Sequence, residues 1–129
     1  MKYILSILMI VGLTLSSYSK SKEVGENIDV THYEIHLNEI NVADRIIDAT
    51  TIITLKTLTS IDGIELELKS LDVTSVTSDD AIINNFSQNG DVLSVTFGNP
   101  VTANTTISLT VNYGGTTFNE NWGGIHWSN

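Results

Sequence analysis

The residues with the most obvious chemistry are two histidines and a glutamate in the segment His32-Tyr33-Glu34-Ile35-His36. In the zinc-protease motif H-E-x-x-H the glutamate directly follows the first histidine, and a helix brings both imidazoles to one metal ion. Here the glutamate stands one position later, and the alternation of polar and apolar residues indicates a strand. On a strand His32 and His36 lie about 13 Å apart, at about 3.3 Å per residue, so they cannot share an ion.

A weaker metal site remains open, because Glu34 and either histidine are neighbours on one strand face and can supply two ligands. A third ligand would have to come from another strand, and the sequence does not identify one. A polar, solvated strand face is the favoured interpretation. Glu65 and Glu67, about 6.6 Å apart on one strand face, are likewise read as a charged outer face, and Asp79-Asp80 as a turn.

Nucleophilic catalysis has no support, because the chain contains no cysteine and no G-x-S-x-G segment. The sequence therefore predicts no catalytic residue, no metal ligand and no cofactor within this chain.

The elements that carry these residues are predicted to be strands throughout, because apolar and polar residues alternate with a period of two from Ile28 onward. Short segments with turn chemistry separate the strands, and Asn89-Gly90 gives the best hairpin signal. We expect an all-β fold, an antiparallel sandwich or saddle-like sheet, with each strand paired to the next in sequence. The predicted strands cover residues 28–41, 46–58, 64–69, 71–77, 81–87, 92–97 and 105–113.

The alternation also predicts the core. Its members are the apolar residues that share one face of each strand. They are Tyr33, Ile35, Leu37, Ile53, Leu55, Ile64, Leu66, Leu68, Leu71, Val73, Leu93, Val95, Phe97, Ile107, Leu109 and Val111.

The two ends of the chain differ from the strand region. Residues 1–19 have a basic start, an apolar run and small residues near Ser19, which is the pattern of a cleaved signal peptide. Residues 20–27 are predicted to be a flexible lead-in, and residues 28–129 a β-domain. The signal, with no cysteine for lipid attachment, predicts a secreted or periplasmic protein with no membrane span after cleavage. Near the other end, Trp122, Ile125 and Trp127 are predicted to form a packing or binding surface.

The charge balance bears on partners. Without Lys2, five basic residues stand against fifteen acidic ones. We therefore expect no nucleic-acid partner, because phosphate binding requires clustered lysine and arginine.

The order of several segments resembles the start of the aminopeptidase N family of zinc metallopeptidases (gluzincins). These segments are Asp29-Val30-Thr31-His32-Tyr33, Ala43-Asp44 before Ile46-Ile47, Ile64-Glu65-Leu66-Glu67-Leu68 with Leu71-Asp72-Val73-Thr74-Ser75-Val76, and Asn112-Tyr113-Gly114-Gly115 followed by Trp122-Gly123-Gly124-Ile125. Asp48 departs from the pattern, since members often have glycine there. The resemblance implies an N-terminal saddle-like β-domain, incomplete here. It also implies that zinc, the H-E-x-x-H motif and the G-x-M-E-N loop lie in a catalytic domain beyond this region.

Two functions remain open. In the first, the chain is a non-catalytic N-terminal β-domain, a fragment of a secreted zinc aminopeptidase, which is inactive alone and supports the missing catalytic domain of the same polypeptide. In the second, it is a free-standing secreted β-sandwich that binds a protein or glycan through Trp122 and Trp127.

Overall fold

The computed structural model describes residues 24–117, 119–120 and 123–124. Within them the chain forms strands and turns only, which confirms the predicted all-β class. No helix in this part is long and apolar enough to cross a membrane. The strands are β1 (Ile28–Asn41), β2 (Ile46–Thr57), β3 (Ile61–Glu67), β4 (Asp72–Thr77), β5 (Ile83–Asn89), β6 (Val92–Val101), β7 (Thr106–Thr116), β8 (Asn119–Glu120) and β9 (Gly123–Gly124).

Seven of these strands form two antiparallel sheets. Sheet A has the order β1-β2-β7-β4 and sheet B the order β3-β6-β5, while β8 and β9 pair with each other. The predicted pairing of consecutive strands is confirmed for β1 with β2 and for β5 with β6. It is wrong for the others, because β3 pairs with β6, while β2 and β4 both pair with β7. The alternation of apolar and polar residues identifies the apolar face of a strand. Because the strands of both sheets alternate in the same way, it does not identify the strand with which each one pairs.

The two consecutive hairpins follow their turn residues. In the β5–β6 hairpin Asn89 pairs with Val92, and Gly90 adopts a φ of 61° in the left-handed region that glycine tolerates. In the β1–β2 hairpin the Asn41 side chain accepts a hydrogen bond from the Asp44 N–H at 3.1 Å and donates one to the Asp44 carboxylate at 2.9 Å. These local bonds fix where each strand turns back.

The core lies between the inner faces of the two sheets. Leu55, Ile107 and Leu109 of sheet A are at most 1% exposed, and Leu93 and Val95 of sheet B equally so. Most predicted core positions are confirmed, and Leu68, Leu71 and Val73 are half-buried. The predicted burial of Tyr33, Ile35 and Leu37 is wrong, since all three are exposed. The structure adds apolar core residues that the predicted core lacked, namely Ile47, Ala49, Ile61, Val76 and Val101.

Thr57 joins the end of β2 to the turn between β6 and β7. Its side chain is fully buried, and its hydroxyl donates to the Thr102 carbonyl at 2.6 Å and accepts the Thr105 N–H at 3.0 Å. Because the Thr57 hydroxyl satisfies a backbone donor and a backbone acceptor of this turn, it anchors the turn to sheet A.

Gly63 has a different role, at the irregular start of β3. A Cβ atom at this position would lie 2.4 Å from the Val95 carbonyl oxygen. The close approach of β3 to β6 therefore requires glycine here.

Candidate docking surface

The sandwich is closed along one side and open along the other. On the closed side the Gln88 side chain of β5 donates to the Leu71 carbonyl at 2.7 Å and accepts the Val73 N–H of β4 at 2.9 Å. On the other side β1 lies opposite β3, and the Gly25 N–H donates to the Glu65 carbonyl at 3.1 Å. This contact closes only the beginning of that side, next to Ile28.

Beyond that contact the inner face of β1 is uncovered. Ile28 and Val30 are partly buried against the core, whereas the next four apolar side chains on the same face are exposed in the described structure. We call these four residues the apolar platform; they are Tyr33, Ile35, Leu37 and Ile40, with exposures of 55%, 61%, 49% and 51%.

The register between β1 and β2 shows that the sequence assigned the platform residues to the correct face of β1 but wrongly predicted that they are buried. Leu37 lies opposite Ala49, and Ile40 lies opposite Ile47. Both β2 residues are buried, so the platform belongs to the inner face of sheet A. Sheet B does not cover this end of β1, because β3 ends at Glu67. The platform is therefore inner-face surface that the described part of the chain leaves without a cover.

A groove runs between the platform and the end of β3. Its volume is about 190 Å³, and the Thr51 and Tyr113 hydroxyls hydrogen-bond to each other at 2.8 Å on its sheet A side. Pockets that enclose a drug-sized ligand have volumes of about 300–1,000 Å³, so this groove is too small for such a ligand. It suits a single inserted side chain. Its lining residues are Tyr33, Ile35, Thr51, Ile53, Leu66, Glu67, Leu68, Leu93, Val111 and Tyr113.

The opposite face of β1 carries the residues that first suggested chemistry. The His36 Nε2 atom lies 2.9 Å from the Glu34 carboxylate, and both side chains are about half exposed. In the described residues no three histidine, cysteine or acidic side chains lie together as a metal site would require. His32 joins the same exposed outer face. The arrangement thus provides one exposed contact between an imidazole and a carboxylate, which contributes little stability.

Hydrogen-bonded side chains continue this outer face across all four strands of sheet A. Asn38 donates to the Thr50 hydroxyl at 3.0 Å, and Thr50 donates to the Asn112 side-chain oxygen at 2.6 Å. Asn112 in turn donates to the Ser75 hydroxyl at 2.8 Å. Because these polar groups already satisfy one another, this face is a solvated surface, in contrast to the apolar platform.

The surface predicted from Trp122, Ile125 and Trp127 lies outside the described residues. Shortly before that region, the Thr117 N–H donates to the carbonyl of Arg45, in the turn between β1 and β2, at 2.9 Å. Sequence reasoning missed the platform as a surface because its alternation was read as burial. One feature of the sequence could have revealed the platform. The predicted first strand is longer than each of the predicted strands that form sheet B.

No family model matches the chain, and no curated protein matches its sequence. Solved structures do match. The M1 zinc metallopeptidase of Deinococcus radiodurans is 22% identical with a TM-score of 0.64, over 72% of this chain and 21% of that one. Its complex with a Tyr-Ser-Ala substrate gives 21% identity and a TM-score of 0.64, over 74% of this chain and 22% of that one. The chain has the fold of a β-domain in M1 zinc metallopeptidases.

A further match to this fold is a mutant two-domain M1 zinc metallopeptidase bound to L-arginine. It is 22% identical with a TM-score of 0.65, over 74% of this chain and 22% of that one. The resemblance predicted from the sequence is thereby confirmed at the level of the fold. The chain spans about a fifth of the length of the M1 structures that it matches.

Proposed function

We propose that this chain is the non-catalytic N-terminal β-domain of a secreted zinc aminopeptidase, and that its apolar platform docks against the catalytic domain of the same polypeptide. The M1 β-domain fold, together with the uncovered platform, carries the proposal. In the solved two-domain M1 enzymes a region of this fold is one part of a longer chain.

The platform has the composition of an interface core. Its four residues include one aromatic and three large aliphatic side chains, and none of them is charged. Contiguous apolar surface of this kind marks contact sites in soluble proteins. The charged residues of β1, by contrast, lie on the outer face with His32 and Glu34. Only the inner face is therefore suited to burial against a second domain.

The groove beside the platform gives the interface an anchor. Interfaces concentrate their binding energy in a few large side chains that fill pockets near the centre. A groove of about 190 Å³ between β1 and β3 receives one such side chain from the catalytic domain. Glu67, at the end of β3, also lines this groove and can pair with a basic or hydrogen-bonding group of that domain.

The proposal places peptide hydrolysis and zinc binding outside this chain. The described residues contain no metal-binding cluster, and the aminopeptidase chemistry requires zinc held by residues of another domain. The role of this chain is then structural. It supports the catalytic domain and forms one wall of the substrate cleft. Export by the signal peptide of residues 1–19 is part of the same proposal.

The DNA beyond the codon for Asn129 tests this proposal. We expect one reading frame there to encode a helical domain with an H-E-x-x-H motif. Non-coding sequence in all frames would contradict the proposal and favour the free-standing binding module. That second function is favoured by the same groove, whose occupant would then be a side chain of a separate partner protein.

A further inference from the structure

Among the described strands, β1 lies at the edge of sheet A, with one side of its backbone paired to β2 and the other side without a partner strand. In the described part of the chain it has only β2 as a neighbour, and residues 31–40 are all exposed. Unpaired edges of this length template pairing with another strand unless they are blocked. β1 contains 14 residues and no proline.

Two bulges limit the part of this edge that is regular. The register shifts after Val30 and again after Leu37, so that Thr31 and Asn38 are the inserted residues. The Thr31 hydroxyl donates to the Thr54 carbonyl at 3.1 Å, and the Asn38 amide donates to the Asp48 carboxylate at 3.0 Å. Both side chains are thus turned toward β2. The six residues from His32 to Leu37 remain as one straight segment between the bulges.

The sequence of that segment is complementary to itself when two copies run antiparallel about Ile35. Directly opposite residues are then Glu34 with the partner's His36, and Tyr33 with the partner's Leu37. The His36 imidazole can then hydrogen-bond to the partner's Glu34 carboxylate, as the two groups do within one chain at 2.9 Å, and the Tyr33 and Leu37 side chains lie next to each other on the same face. A register centred on Glu34 would instead place two carboxylates opposite each other, which is destabilising. Registers centred on Tyr33 or His36 would pair only three residues of the regular segment, whereas a centre at Ile35 pairs five. Ile35 is therefore the favoured centre.

We propose that two copies of this chain associate through β1, antiparallel, with Ile35 on the twofold axis. The two A sheets join into one sheet of eight strands, and each edge satisfies the other. Tyr33, Ile35 and Leu37 of both copies become neighbours on the inner face. The proposal does not rest on the zinc aminopeptidase function, because it is argued from the edge position of β1 and the sequence of its regular segment. Ile40, at the far end of the platform, lies outside the paired segment.

Disulfide cross-linking of the whole exported chain tests this register. The chain has no cysteine, so an introduced thiol has no competitor. Residues directly opposite in an antiparallel pair have Cα atoms about 4.5–5.5 Å apart, within the range for a disulfide. We expect Ile35→Cys to form a covalent dimer on mild oxidation as its major product. Ile82→Cys is the matched control, because Ile82 is 65% exposed and lies outside β1.

Two further variants fix the register. In the proposed pairing, two copies of Tyr33→Cys have their thiols four residues apart along the sheet, about 13 Å, and cannot bridge. A mixture of Tyr33→Cys with Leu37→Cys brings one thiol of each directly opposite and should form a mixed dimer. Sedimentation of the unmodified chain should show twice the monomer mass.

Three results would overturn the proposal. One is cross-linking of Ile35→Cys no faster than that of Ile82→Cys. Another is preferential self-cross-linking of Glu34→Cys, which would indicate the other register. The third is an unmodified chain that sediments as a monomer at the concentration used for cross-linking. Because Ile35 and Ile82 are both exposed, cooperative melting curves for both cysteine variants will show that they fold.

Discussion

Two isoleucines on the inner face of neighbouring strands differ in burial. Ile53 of β2 is 7% exposed, whereas Ile35 of β1 is 61% exposed. Complete burial of an isoleucine side chain stabilises a protein by about 1.5–3 kcal/mol. At 61% exposure, Ile35 retains less than half of that, or about 1 kcal/mol. Ile53→Ala removes a packed side chain from the core, which costs about 2–5 kcal/mol.

We therefore expect Ile35→Ala to lower the free energy of unfolding by about 1 kcal/mol, and Ile53→Ala to lower it at least twice as much. Urea denaturation followed by circular dichroism measures both values. Both variants should be measured at low protein concentration, where the proposed association of two copies through β1 is weakest. Equal losses for the two variants would refute the reasoning, because they would mean that the inner face of β1 is covered in the isolated chain.

Three other predictions concern the anchor of the β6–β7 turn, the approach of β3 to β6, and activity. Thr57→Val should be about 1–3 kcal/mol less stable than the parent in urea denaturation, since it removes the buried hydroxyl that accepts the Thr105 N–H and donates to the Thr102 carbonyl. It should also be less stable than Thr57→Ser, which keeps the hydroxyl, and the reverse order would contradict the anchor role. Gly63→Ala should lose about 1–3 kcal/mol in the same assay, since its Cβ would meet the Val95 carbonyl oxygen, and a neutral effect would contradict that close approach. The purified chain should not release product from aminoacyl-anilide substrates, and turnover that a chelator abolishes would show that the chain holds its own active site.

The sequence predicted where the strands lie, because each strand carries its own signal, but it misplaced some ends: β3 begins at Ile61 instead of 64, and β6 continues to Val101 instead of ending at 97. Residues 28–41 were predicted as a strand, and β1 has the same limits. Pairing was predicted only where a local turn decides it, as at Gly90. The pairing of β2 with β7 joins residues such as Leu55 and Ile107, which are far apart in sequence. No local pattern encodes that choice, so the order of strands in the sheets could not be derived.

The candidate site was missed for a related reason. Alternation placed Tyr33, Ile35 and Leu37 on one face correctly, and the register opposite Ile53, Thr51 and Ala49 confirms it. Whether an apolar face is buried depends on what lies above it, and that depends on the length of the second sheet. The exposed side chains thus follow from tertiary structure that the alternation does not contain. The outer-face interpretation of His32, Glu34 and His36 needed only strand geometry, and the structure confirms it.

The central claim is that the apolar platform docks on a catalytic domain. Calorimetric titration of the chain with the proposed helical catalytic domain, expressed separately, tests it most directly. The account predicts binding that Ile40→Asp weakens at least about tenfold, a loss of about 1.4 kcal/mol, while Ile82→Asp leaves it unchanged. Ile40 is suited to this test because it belongs to the platform but not to the segment that pairs two copies. No binding, or binding that Ile40→Asp and Ile82→Asp affect equally, would contradict the claim.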